Sequence, residues 1–192
     1  VSECGEFLRA ILQSLEDKNN GWCIAASLGM ANGLTSRPGF NSTGNSFIKF
    51  IRSVSSGSTH NPKVFINEVI KTAKNQESPE RVRTKALELL GFFDDQRVYP
   101  VLQQALQPEN SPDVQKSAIE AITHLGTEKG GNLLAGPKVW HSYTPEIRQA
   151  VINALVSKQL LAEALMDGIE DSVVAPSDVP PGIRQRLMDR PG

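Results

Sequence analysis

The chain has 192 residues, enough for a compact domain to bury roughly 70% of its unfolded surface. Its 20 Lys and Arg nearly balance its 21 Asp and Glu, leaving a formal net charge of -1, so the molecule as a whole has no electrostatic reason to seek nucleic acid or an anionic membrane. No apolar run approaches the roughly 20 residues that cross a bilayer, and membrane insertion is not expected.

The opening residues, Val1-Ser2-Glu3-Cys4-Gly5, are not a basic segment followed by an apolar core, so they do not read as a signal peptide. The closing Arg190-Pro191-Gly192 lies in a polar stretch, and the chain reads as an excised or processed piece of something longer. Cys4 and Cys23 are too few for a disulfide scaffold. Each sits near the start of a predicted helix, and consecutive antiparallel helices start about one helix length apart, beyond the roughly 7 Å between Cα atoms that a disulfide tolerates. Two packed thiols are expected.

Helical periodicity runs along the chain from its first residues. Phe7, Leu8, Ile11, Leu12 and Leu15 form one apolar stripe. Trp22 through Ala31 is apolar almost all round, which predicts a helix covered on several sides, with Ala25, Ala26 and Gly29 allowing close approach. A turn-forming loop is expected from Gly33 to Asn45. Phe47, Ile48, Ile51 and Val54 mark a third helix, and Phe65, Ile66, Val69, Ile70 and Ala73 a fourth. No segment alternates convincingly with a period of two, so the fold class is all-α.

From there the sequence repeats. Ser78-Pro79-Glu80, Ser111-Pro112-Asp113 and Thr144-Pro145-Glu146 follow one another at intervals of 33 residues. Each reads as a helix start: a hydroxyl at N-cap, a proline whose missing N–H needs no partner, and an acid that complements the positive helix end. Val82, Ala86, Leu87 and Leu90 correspond to Val114, Ala118, Ile119 and Ile122, then to Ile147, Val151, Ile152 and Leu155. A second stripe follows the first of these helices (Val98, Val101, Leu102, Ala105, Leu106) and the third (Leu160, Leu161, Ala164, Leu165). The middle partner, Asn132-Leu133-Leu134-Ala135, is stunted and runs into Gly136-Pro137. Two helices per repeat of about 33 residues is the geometry of helical-hairpin solenoids, in which neighbours stack because one hairpin cannot bury its own apolar face.

The pattern Val82-Arg83-x-x-Ala86-Leu87-x-x-Leu90, echoed by Ile147-Arg148-x-x-Val151-Ile152-x-x-Leu155, resembles HEAT and HEAT-like repeats. In that family the Arg commonly joins a polar ladder between repeats. Arg83 and Arg148 match, whereas Gln115 does not, so the ladder is expected to be interrupted in the middle. Two further segments, Trp22 to Leu34 and Leu165 to Leu187, resemble the HEAT-like region of exported, planctomycete-type membrane-bound dehydrogenases. Those proteins carry a propeller-like dehydrogenase domain before the repeats and a c-type haem domain after them. The chain itself has no Cys-x-x-Cys-His and no blade repeats, so the resemblance implies a spacer or docking module without its own cofactor. It also implies a periplasmic or secreted location.

The chemical candidates have plainer readings. His60, His124 and His141 show no ligand pairing, so no metal site is expected. Gly126-Thr127-Glu128-Lys129-Gly130-Gly131 reads as a turn between helices, and Glu88 and Glu120 as residues of a solvated face. Cys23, in the most apolar helix, reads as packing. Trp140, His141 and Tyr143 are the candidate partner-binding residues, in a loop before a helix start. The competing reading, which the residues favour, has Trp140 and Tyr143 filling the gap left by the stunted helix. Lys71, Lys74, Arg81, Arg83, Lys85 and Arg97 make the middle locally basic, which raises the alternative of a HEAT-like nucleic-acid-binding or DNA-repair glycosylase-type protein. Glu77, Glu80, Glu88, Asp94 and Asp95 are interleaved with them and weigh against it.

The expected protein is therefore a HEAT/armadillo-like α-α superhelix of about five helical hairpins. Residues 1–75 form divergent N-terminal hairpins, 76–170 three HEAT-like repeats, and 171–192 a linker with the start of a further helix. Its expected role is a non-enzymatic protein-interaction scaffold or spacer.

Overall fold

The computed structural model describes residues 21–36 and 62–188, together with residues 6, 10, 11, 14, 47, 49, 51 and 52. Among the described residues there are helices and turns and no strand. In chain order the helices are α1 (Gly21–Thr35), α2 (Pro62–Lys74), α3 (Glu80–Leu90), α4 (Val98–Ala105), α5 (Pro112–Leu125), α6 (Glu128–Ala135), α7 (Pro137–Trp140), α8 (Pro145–Leu155), α9 (Gln159–Glu170) and α10 (Pro181–Met188), with a 3-10 turn at Pro176–Asp178. The fold is an all-α solenoid. Its backbone divides into two compact units, residues 1–101 and 102–192, and the division falls inside α4. α2 and α3, on either side of residue 75, pack closely on each other.

In the first unit α3 lies against both α1 and α2. Its apolar face is the expected one, with Ala86, Leu87, Leu89 and Leu90 buried and Val82 half-buried. Phe93, just beyond the helix, stands edge-on to Phe65 of α2 with centroids 5.7 Å apart and stacks on Phe47 at 6.2 Å. Such contacts add to the burial of three large rings. Phe47 and Ile51 are buried and helical, as is Ile11; Ile48, Val54 and the rest of the first stripe lie outside the described residues.

α1 departs from expectation. Cys23, Ile24, Ser27, Leu28 and Ala31 are buried, but Trp22, Ala25, Gly29 and Gly33 are exposed, and a Cβ on Gly29 would meet nothing within 4 Å. The helix is covered along one side and not all round. Small residues remove little apolar area from water, so leaving Ala25 and Gly29 uncovered costs little. The helix also runs two residues past the expected loop start, to Thr35, where the Thr35 and Ser36 hydroxyls donate back to the Asn32 carbonyl. Cys23 is a buried thiol outside any disulfide, and Cys4 lies outside the described residues.

The second unit shows the layering of a repeat. α8 packs on α5, and α9 packs on α6, so first helices stack on first helices and second on second. All four stripe residues of α5 and all four of α8 are buried. In α9 the buried set is Leu161, Ala162, Ala164, Leu165 and Gly168, while Leu160, expected in the stripe, is 47% exposed.

The stunted middle helix is longer than the sequence implied. Thr127 caps it, its hydroxyl accepting from Gly130 N at 3.1 Å, and Glu128 to Gly131 are its first turn. Gly126 alone has the turn conformation, at φ 59°, ending α5 with its N–H donating to the Ile122 carbonyl. Gly131 is placed by contact: a Cβ there would lie 2.7 Å from Ala164 Cβ of α9. Gly131 is what lets α6 and α9 approach, whereas Gly130 faces α5, where a Cβ would lie 2.8 Å from Ile122 Cγ2. Gly131→Ala should therefore destabilise the fold by about 1–3 kcal/mol through overpacking, outweighing alanine's better helix propensity of about 1 kcal/mol. A urea denaturation midpoint at or above the parent's would sink this account.

The three helix starts are not equivalent. Ser111 and Thr144 are N-caps whose hydroxyls accept from Val114 N (3.4 Å) and Ile147 N (3.3 Å). Ser78 makes no such cap: α3 begins one residue later, with Pro79 at N-cap and its carbonyl accepting from Val82 N and Arg83 N. Ser78 is held instead in a turn, its N–H donating to the Asn75 carbonyl. The structural repeat is thus 32 residues from Pro79 to Ser111 and 33 from Ser111 to Thr144.

Within residues 171–188, Val174, Val179 and Ile183 are buried. α9 stops in a Schellman arrangement, with Ser172 N donating to the Ile169 carbonyl and Val173 N to that of Gly168. The position that glycine usually fills is Ser172, at φ 58°. A side chain there costs roughly 1 kcal/mol or more, so Ser172→Gly should raise stability by about 0.5–1 kcal/mol, after the greater freedom of glycine in the unfolded chain is discounted. Thermal unfolding would read this as a higher midpoint; a lower one would contradict it.

Candidate protein-contact surfaces

The candidate aromatics are carried by α7, a single turn started by Pro137, and by the bend that follows it. Trp140 is 1% exposed and Tyr143 3%, so neither presents a surface. The rings meet edge-on with centroids 6.3 Å apart, and the Arg148 guanidinium lies 6.0 Å from the Trp140 ring centroid. The Tyr143 hydroxyl is buried and its ionisation is pushed well above the ordinary phenol range by desolvation. Only His141 of the three is exposed. Both aromatics are needed inside because α6 ends at Ala135 and α7 adds one turn, leaving apolar surface that large rings cover.

At the position expected to form a polar ladder, Gln115 reaches back to the residues that follow α4. Gln115 is buried and its Nε2 donates to the carbonyls of Leu106 (3.2 Å) and Gln107 (3.0 Å). These are carbonyls just beyond α4 that lack helical partners, so Gln115, set aside as a mismatch, has a polar task of its own. Arg148 lies against the Trp140 ring instead, and Arg83 is half-buried on α3. A second tie joins successive repeats: Lys158 Nζ donates to the His124 carbonyl at 2.9 Å, placing a cation at the C-terminal end of α5. Burial pulls the Lys158 ammonium below its usual range.

The remaining candidates stay dispersed. Glu88 is half-buried and pairs with Lys85 at 2.9 Å, while Glu120 is exposed and lies 3.9 Å from His124. His60 lies outside the described residues, and no cluster of three His, Cys, Asp or Glu side chains that could hold a metal occurs among those described. No helix of the described residues is long and apolar enough to cross a membrane. The locally basic stretch divides: Arg97 is bound by Asp95, both Nε and Nη2 donating to its carboxylate, and that contact holds the Asp95 carboxyl below its usual range.

Sequence reasoning missed two exposed helix faces. Lys63, Asn67, Lys71 and Lys74 lie on the outside of α2, and Glu163, Asp167 and Glu170 on the outside of α9. The signal was present, because the polar residues of each helix share one sign of charge almost throughout.

A family model described as HEAT repeats matches residues 66–156, from within α2 through α8. No curated protein and no solved structure gives a match.

Proposed function

We propose that the chain is a non-enzymatic repeat module that offers helix faces to other proteins, as a scaffold or as a spacer between domains. The observation that carries this is the stacking of α8 on α5, within the region matching HEAT repeats, and of α9 on α6, where α9 lies just beyond it. Within the second unit a stack of this kind keeps exposed side chains at fixed spacings. Such a surface recognises partners without moving. The resemblance of Trp22 to Leu34 and Leu165 to Leu187 to planctomycete-type dehydrogenases supports a finer reading, a spacer inside a larger exported redox protein. On that reading the module works in the periplasm or outside the cell, and haem chemistry belongs to a neighbouring domain.

Sequencing the gene on either side tests this context. A haem-attachment motif downstream, with an export signal and propeller repeats upstream, is the expected result. Flanks that encode neither would overturn the redox setting. Salt-dependent binding of the chain to duplex DNA at low ionic strength would count against protein docking as its role.

A further inference from the structure

The two exposed faces are opposite in charge and alike in layout. On α2, Lys63, Asn67, Lys71 and Lys74 form a ridge bordered by Val64, which is 49% exposed, and by half-buried Ile70. At about 100° per residue these positions occupy one continuous arc of the helix. The acid on this helix, Glu68, meets Lys71 at 3.4 Å, and Arg97 reaches the same face, its Nη1 donating to Asn67 Oδ1 at 2.6 Å. Asp95, whose charge Lys63 also feels, is already bound by Arg97. On α9, Glu163, Asp167 and Glu170, with Asp171 just beyond, form a ridge bordered by Leu160 and Met166, which are 47% and 45% exposed. α9 contains no basic residue, and Lys158 at its N-cap is turned to the His124 carbonyl. Three of the four large hydrophobic side chains exposed among the described residues border these two faces.

We propose that the α2 face of one copy of this chain docks on the α9 face of a second copy. Lysines then meet carboxylates along the ridges, and the apolar borders, Val64 and Ile70 on one side and Leu160 and Met166 on the other, close over them. The occupant is a second copy because both halves of the match are on one chain. The contact is heterologous, so each copy keeps one face of each kind for another neighbour, and assembly continues unless the rotation closes a ring. One helix laid on another buries less than the roughly 1,200 Å² of a standard interface, which makes the contact weak and dependent on many neighbours. Its charges are exposed, so added salt weakens it. The inference rests on the docking reading above for its premise that exposed helix faces are contact surfaces.

Sedimentation of the full chain at increasing concentration tests this without any substitution. Weight-average mass should rise with concentration at about 20 mM salt and fall to that of a monomer at about 500 mM, where charges are screened beyond about 4 Å. Charge reversal then identifies the faces. Lys71→Glu with Lys74→Glu should leave the chain monomeric, as should Glu163→Lys with Asp167→Lys. An equal mixture of the two variants should associate again, because the reversed α2 is acidic and the reversed α9 basic. Circular dichroism of each variant separates lost association from lost helix. A parent chain that is monomeric at low salt, association that survives both reversals, or folded variants that ignore each other when mixed would each overturn the proposal. A monomeric result leaves the gene-context test untouched, so the two readings fail separately.

Discussion

Trp140→Ala should cost about 3–5 kcal/mol of folding stability, the range for removing a large buried aromatic. The ring is 1% exposed, holds Tyr143 edge-on and carries the Arg148 guanidinium above it. Truncation opens a cavity where α6 and α7 leave the core thin, and it strips Arg148 of its ring contact. Urea denaturation followed by circular dichroism measures the cost. A loss below about 0.5 kcal/mol, typical of surface positions, would return Trp140 to the list of partner-contact residues. The fluorescence of the parent chain offers a second check. The two tryptophans are Trp22, half-exposed, and Trp140. Trp22→Phe should therefore leave a blue-shifted emission that moves red only on unfolding.

Leu87→Ala and Ile119→Ala should each cost about 2–5 kcal/mol, as buried large-to-small changes. Leu87 is fully buried in α3 of the first unit and Ile119 is 4% exposed in α5 of the second. They occupy equivalent stripe positions one repeat apart, so similar losses are expected if the two helices do the same job. The cost contains lost transfer free energy and the price of an unfilled cavity, and a repeat that collapses onto the gap will sit at the low end. A loss below about 0.5 kcal/mol at either site would mean that the helix faces are assigned wrongly.

The register shows how much was legible and where reading stopped. The motif interval from Ser78 to Ser111 is 33 residues, but the stripe interval from Val82 to Val114 is 32. The structure follows the stripe, with Pro79 at the N-cap of α3. Burial of an apolar face outweighs one hydroxyl cap, which contributes about 1 kcal/mol. Where motif and stripe disagree, the stripe is the better guide to register. The Gly126–Gly131 segment went the other way. Two adjacent glycines read locally as a turn, yet Gly131 sits in α6 because Ala164 of α9 leaves no room for a side chain. That constraint comes from a helix some thirty residues further along and has no local trace.

The sequence by itself determined the all-α class, the stacked helical pairs and the buried faces of α3, α5 and α8, because the period of apolar residues already encodes which side of a helix leaves water. Only the tertiary structure decided which apolar residues stay outside. Trp140 and Tyr143 went in because the short second helix left surface to cover, while Leu160 and one side of α1 stayed out because the neighbouring helices cover only the opposite side. Periodicity is a property of one helix, whereas exposure depends on what packs against it, and that is set by residues far away in the chain.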